Sequence, residues 1–97
     1  MSILAQLMDR IEDRKQNRPV GSYTVTLLDG GVDRIGVKIH EEAAEVVEAA
    51  KSQRAAVREE VIHEAADLIY HLFVLMVHCN VTLDDVEAEL AQRYKPG

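Results

Sequence analysis

Residues 65–77, AADLIYHLFVLMV, are apolar almost all the way round a helix, and no other part of the chain limits the fold as strongly. A helix of that kind has to be covered by other helices on most of its sides. It lies inside a longer helical segment expected from about Ala55 to Cys79. One narrow stripe along this segment stays polar: Glu60, Glu64, Asp67, His71 and His78. Carboxylates on a buried helix are costly unless they are paired or hold a cation.

The neighbouring segments read as helices too. Ser2 can cap a first helix carrying Ile3, Leu4, Leu7, Met8 and Ile11 on one side. Pro19 and Gly21 mark a loop. YTVTLL at 23–28 has strand-like residues, but a lone strand without a partner is unstable, so a helical turn is expected there. DGG at 29–31 predicts a break, and a long helix follows from about Val32 to Lys51. Ser52 and Gln53 form a short turn into the apolar segment. Asn80 suits the left-handed residue that ends that segment. Thr82 and Asp85 have the spacing of a capping box for a last helix reaching about Tyr94. The expected fold class is all-α, an antiparallel helical bundle of four to five helices, completed by oligomerisation. A chain of 97 residues suits a single domain, 1–97. It buries a modest share of its surface alone, so a homodimer or higher homo-oligomer is expected.

Charge narrows the partners. Asp and Glu number 17 against 11 Lys and Arg, a net charge of -6. An acidic chain is a poor match for a nucleic-acid backbone or an anionic membrane surface. Cys79 is the only cysteine, and the opening MSILAQLMDR does not read as a signal peptide. LIYHLFVLMVHC, with its two histidines, is too short for a membrane span. A cytoplasmic location is therefore expected.

The segment KIHEEAAEVVEAAK at 38–51 supplies a second set of acids: Glu41, Glu42, Glu45 and Glu48. At about 100° per residue, Ile35, Ile39, Ala43, Val46 and Ala50 form an apolar arc. Glu41, Glu45 and Glu48 share the opposite stripe, whereas Glu42 falls at the edge of the buried arc. Glu42 and Glu45 are three residues apart, and so are Glu64 and Asp67. Two such pairs on adjacent antiparallel helices make a nest of four carboxylates, which repel one another until a hard divalent cation joins them. All-oxygen ligands suit Mg²⁺, with Mn²⁺ as a possible substitute, rather than zinc. The plainer alternative is a solvated acidic face, since Glu is a good helix former. That alternative suits Glu48 and Glu59 best, and Glu42, Glu64 and Asp67 least. His71 and His78 read as bundle histidines with a hydrogen-bond partner, and Arg54 and Arg58 as surface charges.

EEAAE at 41–45 and EAAD at 64–67, with eighteen residues between them, resemble the E-E-x-x-E…E-x-x-D signature of the all-α, MazG-like nucleoside-triphosphate pyrophosphohydrolases. Longer stretches narrow the resemblance. GSYTVTLLDGGVDRIGVKIHEEAAEVVEAAK, EAADLIYHLFVLM and TLDDVEAEL are similar to the phosphoribosyl-ATP pyrophosphatase family, over residues 3–93. Two positions depart from that family's pattern. His40 stands where a Gly usually precedes EEAAE, and Cys79 and Asn80 stand where the turn usually carries a Gly.

The resemblance implies a small-molecule nucleotide substrate, 1-(5-phosphoribosyl)-ATP, split between its α and β phosphates with Mg²⁺, by an oligomer of helical bundles. It casts Glu42, Glu45, Glu64 and Asp67 as metal ligands. Glu45 or Glu41 is then the carboxylate that takes a proton from the attacking water. Lys38, one turn before Glu42, and Arg34, one turn further back, are candidates for the phosphates. Ser22 and Tyr23 match the family's SYT and are candidates for phosphate binding at a helix start. On residue type alone, Ser22 is equally a plain N-cap and Tyr23 a packed aromatic. Two rival functions remain at this point. One is a house-cleaning nucleoside-triphosphate pyrophosphohydrolase with the same metal site. The other is a non-enzymatic acidic helical interaction module, which leaves the acidic stripe of the buried helix without a purpose.

Overall fold

The computed structural model describes residues 1–96, so Gly97, the expected end of the domain, lies outside them. Four helices follow one another: α1 (Ile3–Asn17), α2 (Tyr23–Lys51), α3 (Val57–His78) and α4 (Leu83–Arg93). No strand occurs among the described residues, in line with the all-α expectation.

The helix boundaries have local causes. Ser2 Oγ accepts the N–H of Ala5, and Arg18, in the left-handed region at φ 50, closes α1 by donating its N–H to Arg14. Ser22 opens α2 in the same way, its Oγ accepting the N–H of Val25 at 3.3 Å. The strand-like YTVTLL is the first turns of α2, where Thr24, Leu27 and Leu28 recur at helical spacing and are buried. The expected break at DGG is narrower than the three residues. Helix continues through Asp29 and Gly30, and only Gly31 leaves it, at φ 70 and ψ -163. That backbone is open essentially to glycine alone, so Gly31 kinks one long helix instead of separating two. α3 begins at Val57, within two residues of the expected start near Ala55. Its far end is held as expected by Asn80 at φ 60, with a further clamp from α1: Lys15 Nζ donates to Val77 O and Asn80 Oδ1, both at 3.0 Å. Both halves of the Thr82–Asp85 capping box are present.

The core joins Met8 and Ile11 of α1, Leu27, Leu28 and Ile35 of α2, and Phe73, Val74, Met76 and Val77 of α3. α2 packs along α3, and α1 lies against both. α4 buries none of its residues. One expectation about burial holds and one needs correcting. α3 is covered only in part within one chain: Ile62, Ile69 and Leu72 are exposed, as expected of a bundle that other copies complete. The buried line of α2 runs through Ile35, Glu42 and Ala49, while Ala43 and Ala50 face outward. Within one chain α2 and α3 are packed chiefly by each other and by α1, which leaves much of both helices open. The Cα radius of gyration, 15.2 Å, accordingly exceeds the roughly 12.5 Å of a compact chain this long. By length and composition alone α3 is long and apolar enough to cross a membrane. In the fold it sets Glu64 beside α2 and buries its C-terminal half in the core.

Candidate metal centre and active site

α2 and α3 run antiparallel, so acids three residues apart on each helix meet across the groove between them. Glu42, Glu45 and Glu64 each bring a carboxylate oxygen to within 4.8 Å of the others. Asp67 adjoins this triad. It forms a second group with Glu64 and His63, again within 4.8 Å, and His63 Nε2 lies 3.4 Å from Asp67 Oδ2. His63 is exposed, and nothing in the sequence beyond its place one turn before Asp67 marked it.

The charges in this nest work against one another. Glu42 is only 6% exposed, and its carboxyl is pushed above the usual range, first by burial and then by the charges of Glu45 and Asp67. Glu64 is pushed up to about 7, first because a proton on it hydrogen-bonds Glu45, then through desolvation and the Glu45 charge. With every carboxylate ionised, Glu42 Oε2 and Glu64 Oε2 are buried with no hydrogen-bond partner. Orphaned, buried anionic oxygens are expensive. An oxygen set whose innermost atoms lack any donor fits a hard divalent cation, and Glu42, Glu45 and Glu64 are the carboxylates close enough together to share one.

The other expected site residues divide. Glu41 stays out of the nest and pairs with Lys38, Nζ to Oε2 at 3.1 Å. Arg34 is exposed and lies across Gly30, where an added Cβ would come within 2.5 Å of Arg34 Cβ. Ser22 spends its hydroxyl on the N-cap. Tyr23 is half-exposed, and its hydroxyl lies 3.1 Å from His71 Nε2. His71 is buried, with Nδ1 2.9 Å from the carbonyl of Asp67 and 4.0 Å from Glu42 Oε1.

A shallow cleft of about 380 Å³ opens beside the nest, lined by Glu45, Glu48, Ala49, Arg54, Glu60 and Glu64. Arg54 stands at its rim, donating to Glu60 Oε2 at 2.6 Å and to Ser52 Oγ at 3.0 Å. Arg54 is exposed, in line with its reading as a surface charge. Its place at the cleft depends on how the α2–α3 turn folds back, which residue spacing does not reveal.

Comparison with known proteins bears on this geometry. The profile of the phosphoribosyl-ATP pyrophosphohydrolase family matches residues 4–94. The chain is 50% identical over 90 residues to the phosphoribosyl-ATP pyrophosphatase of Rhodopirellula baltica, covering 93% of this chain and 75% of that one. It is 47% identical over 94 residues to the Leptospira biflexa phosphoribosyl-ATP pyrophosphatase, covering 97% and 99%. It is 47% identical over 95 residues to the histidine biosynthesis bifunctional protein HisIE of Caldanaerobacter subterraneus, where it covers 98% of this chain and 45% of the relative.

Proposed function

The chain belongs to the phosphoribosyl-ATP pyrophosphohydrolase family, and from that premise we propose that the carboxylate nest is where it hydrolyses 1-(5-phosphoribosyl)-ATP, in histidine biosynthesis and in the cytoplasm. The α–β phosphoanhydride is cleaved by water, giving 1-(5-phosphoribosyl)-AMP and pyrophosphate. The observation that carries the site assignment is the pair of buried, partnerless oxygens on Glu42 and Glu64.

Glu42, Glu45, Glu64 and Asp67 would hold Mg²⁺, with Mn²⁺ as a substitute, and such a cation would neutralise polyphosphate charge and make water at the site more acidic. The protein's own residues do the rest. Glu45, inside the nest, or Glu41, beside it, accepts the proton of the attacking water. Lys38, held one turn along α2 from the nest by Glu41, faces the phosphates that the metal leaves uncovered, and Arg34 and Arg54 add positive charge. The N–H groups of the first turn of α2, which Ser22 caps, supply polar contacts, and the half-exposed Tyr23 offers its ring edge, its hydroxyl being directed at His71 Nε2.

The uncovered faces support assembly into a homodimer or higher oligomer. Ile62, Ile69 and Leu72 on α3, Val47 on α2, and Val86 and Leu90 on α4 are large apolar groups left in solvent.

Pyrophosphate release from 1-(5-phosphoribosyl)-ATP, with Mg²⁺ and with EDTA, tests the reading. Full turnover in metal-free buffer would sink the metal assignment. Equal rates on ordinary nucleoside triphosphates would sink the substrate assignment.

A further inference from the structure

His71 is a buried polar side chain that the metal-site and phosphate-binding assignments do not use. It borders the nest at Glu42, and three groups fix it. Its Nδ1 is 2.9 Å from the backbone carbonyl of Asp67, its Nε2 is 3.1 Å from the Tyr23 hydroxyl, and Tyr70 packs edge-on at a centroid distance of 5.0 Å. Tyr70 is itself tied to α2 by a short hydrogen bond with Thr24 Oγ1. A carbonyl oxygen only accepts, so Nδ1 must carry the proton that it receives. In the neutral ring Nε2 is then the acceptor, and the Tyr23 O–H donates to it.

The same Nδ1–H edge faces Glu42 Oε1 at 4.0 Å, too long for a hydrogen bond but close enough to present the positive end of the N–H dipole to a carboxylate 6% exposed. His71 therefore touches the backbone of one proposed ligand residue and borders the carboxylate of another, and it does not line the cleft. Tyr23, at the start of α2, holds the ring in that orientation.

We infer that His71 is a positioning residue for the metal site, fixing Glu42 and the Asp67 turn of α3 through an Nδ1–H tautomer that the Tyr23 hydroxyl enforces. This rests on the proposed metal-dependent function. It differs from a merely packed histidine in one respect: the orientation passes from Tyr23 through His71 to the carboxylates. Outer-shell partners of this kind are worth about 10- to 100-fold in metal affinity or activity.

The test measures Mn²⁺ affinity by electron paramagnetic resonance for the native chain, Tyr23→Phe, His71→Leu and the double variant. His71→Leu is expected to weaken Mn²⁺ about tenfold or more, and Tyr23→Phe several-fold. Tyr23→Phe should cost nothing further once His71 is gone, since its effect runs through the ring. In the metal-free native protein, ¹⁵N shifts of the neutral His71 ring should report Nδ1–H. Lost kcat/KM in Tyr23→Phe should be recovered in part by raising Mg²⁺. Mn²⁺ affinity within twofold of native in folded His71→Leu overturns the inference, as does equal cost of Tyr23→Phe in both backgrounds, or an Nε2–H tautomer. Should His71→Leu fail to fold, Tyr23→Phe and the tautomer decide: native-like affinity or Nε2–H overturns it. A native chain that binds no Mn²⁺ instead overturns the metal assignment beneath it.

Discussion

Lys38 Nζ stands 3.1 Å from Glu41 Oε2, one turn along the same helix, so the lysine beside the nest is held by an acid that the nest does not use. The Glu41 hydrogen bond, then its charge, raises the Lys38 pKa and keeps the ammonium protonated. Lys38→Met is expected to lower kcat/KM about tenfold or more, as loss of a charged hydrogen bond to phosphate requires. Mg²⁺ affinity of the free enzyme should not weaken, because a nearby cation opposes metal binding. Unchanged steady-state kinetics would leave the phosphates to Arg34, Arg54 and the first turn of α2.

The nest predicts an inverted pH dependence for the metal-free protein. Glu64 titrates at about 7 in the fold, against roughly 4.3 in an unfolded chain. Between those values the folded state binds the extra proton, so stability falls as pH rises through the window. The raised Glu42 acts in the same direction. Thermal melts in EDTA should therefore give a higher Tm at the acidic end of this window than above 7. Saturating Mg²⁺ should flatten or reverse the trend, since metal requires the ionised carboxylates. A metal-free Tm that climbs with pH across the window contradicts the repulsive nest.

Glu64→Gln and Asp67→Asn each remove one negative charge from the cluster. Each variant is expected to lose most activity and Mg²⁺ affinity while its metal-free Tm rises or holds. A marked fall in the metal-free Tm would assign these acids a structural role instead. Glu41→Gln separates the two candidate bases: lost kcat with unchanged Mg²⁺ affinity identifies Glu41, and retained kcat leaves Glu45.

Gly31→Ala should destabilise the fold by about 1–3 kcal/mol, the cost of forcing a side chain into a sparsely populated backbone region. The space around Gly31 is open, so the penalty is conformational and not steric. Gly30→Ala should also destabilise, for the opposite reason: its Cβ meets Arg34 Cβ at 2.5 Å. Chemical denaturation of both variants checks this. A Gly31→Ala variant as stable as native would mean that the kink is not required.

Light scattering at micromolar concentration should give at least twice the mass of the chain. Leu72→Glu, at a position 43% exposed in one chain, should lower that mass. A native mass of one chain would contradict assembly.

Sequence alone determined the helical class, most helix ends and the identity of the acids. These are local properties. Ser2, Ser22 and Thr82 satisfy N–H groups three residues away, Asn80 tolerates the left-handed region, and spacing of three on a helix puts Glu42 near Glu45 and Glu64 near Asp67 whatever surrounds them. The resemblance of EEAAE and EAAD to a known signature rests on the same local pattern. Tertiary structure decided which acids are costly and which are idle. Angular position put Glu42 only at the edge of a buried arc, but packing against α3 makes it the centre of the buried line. It also decided that DGG would bend a helix at Gly31 alone, since the buried Leu27 and Leu28 on one side and Ile35 on the other must reach a common core. His71 has the hydrogen-bond partners expected of a bundle histidine and Arg54 the exposure of a surface charge, but their neighbours could not be read from residue type. Their meaning comes from Tyr23, forty-eight residues away in sequence, and from a cleft that exists only once α2 and α3 lie side by side. Burial and partnership across helices depend on the distances between elements, and those are a property of the packed chain and not of any window along it.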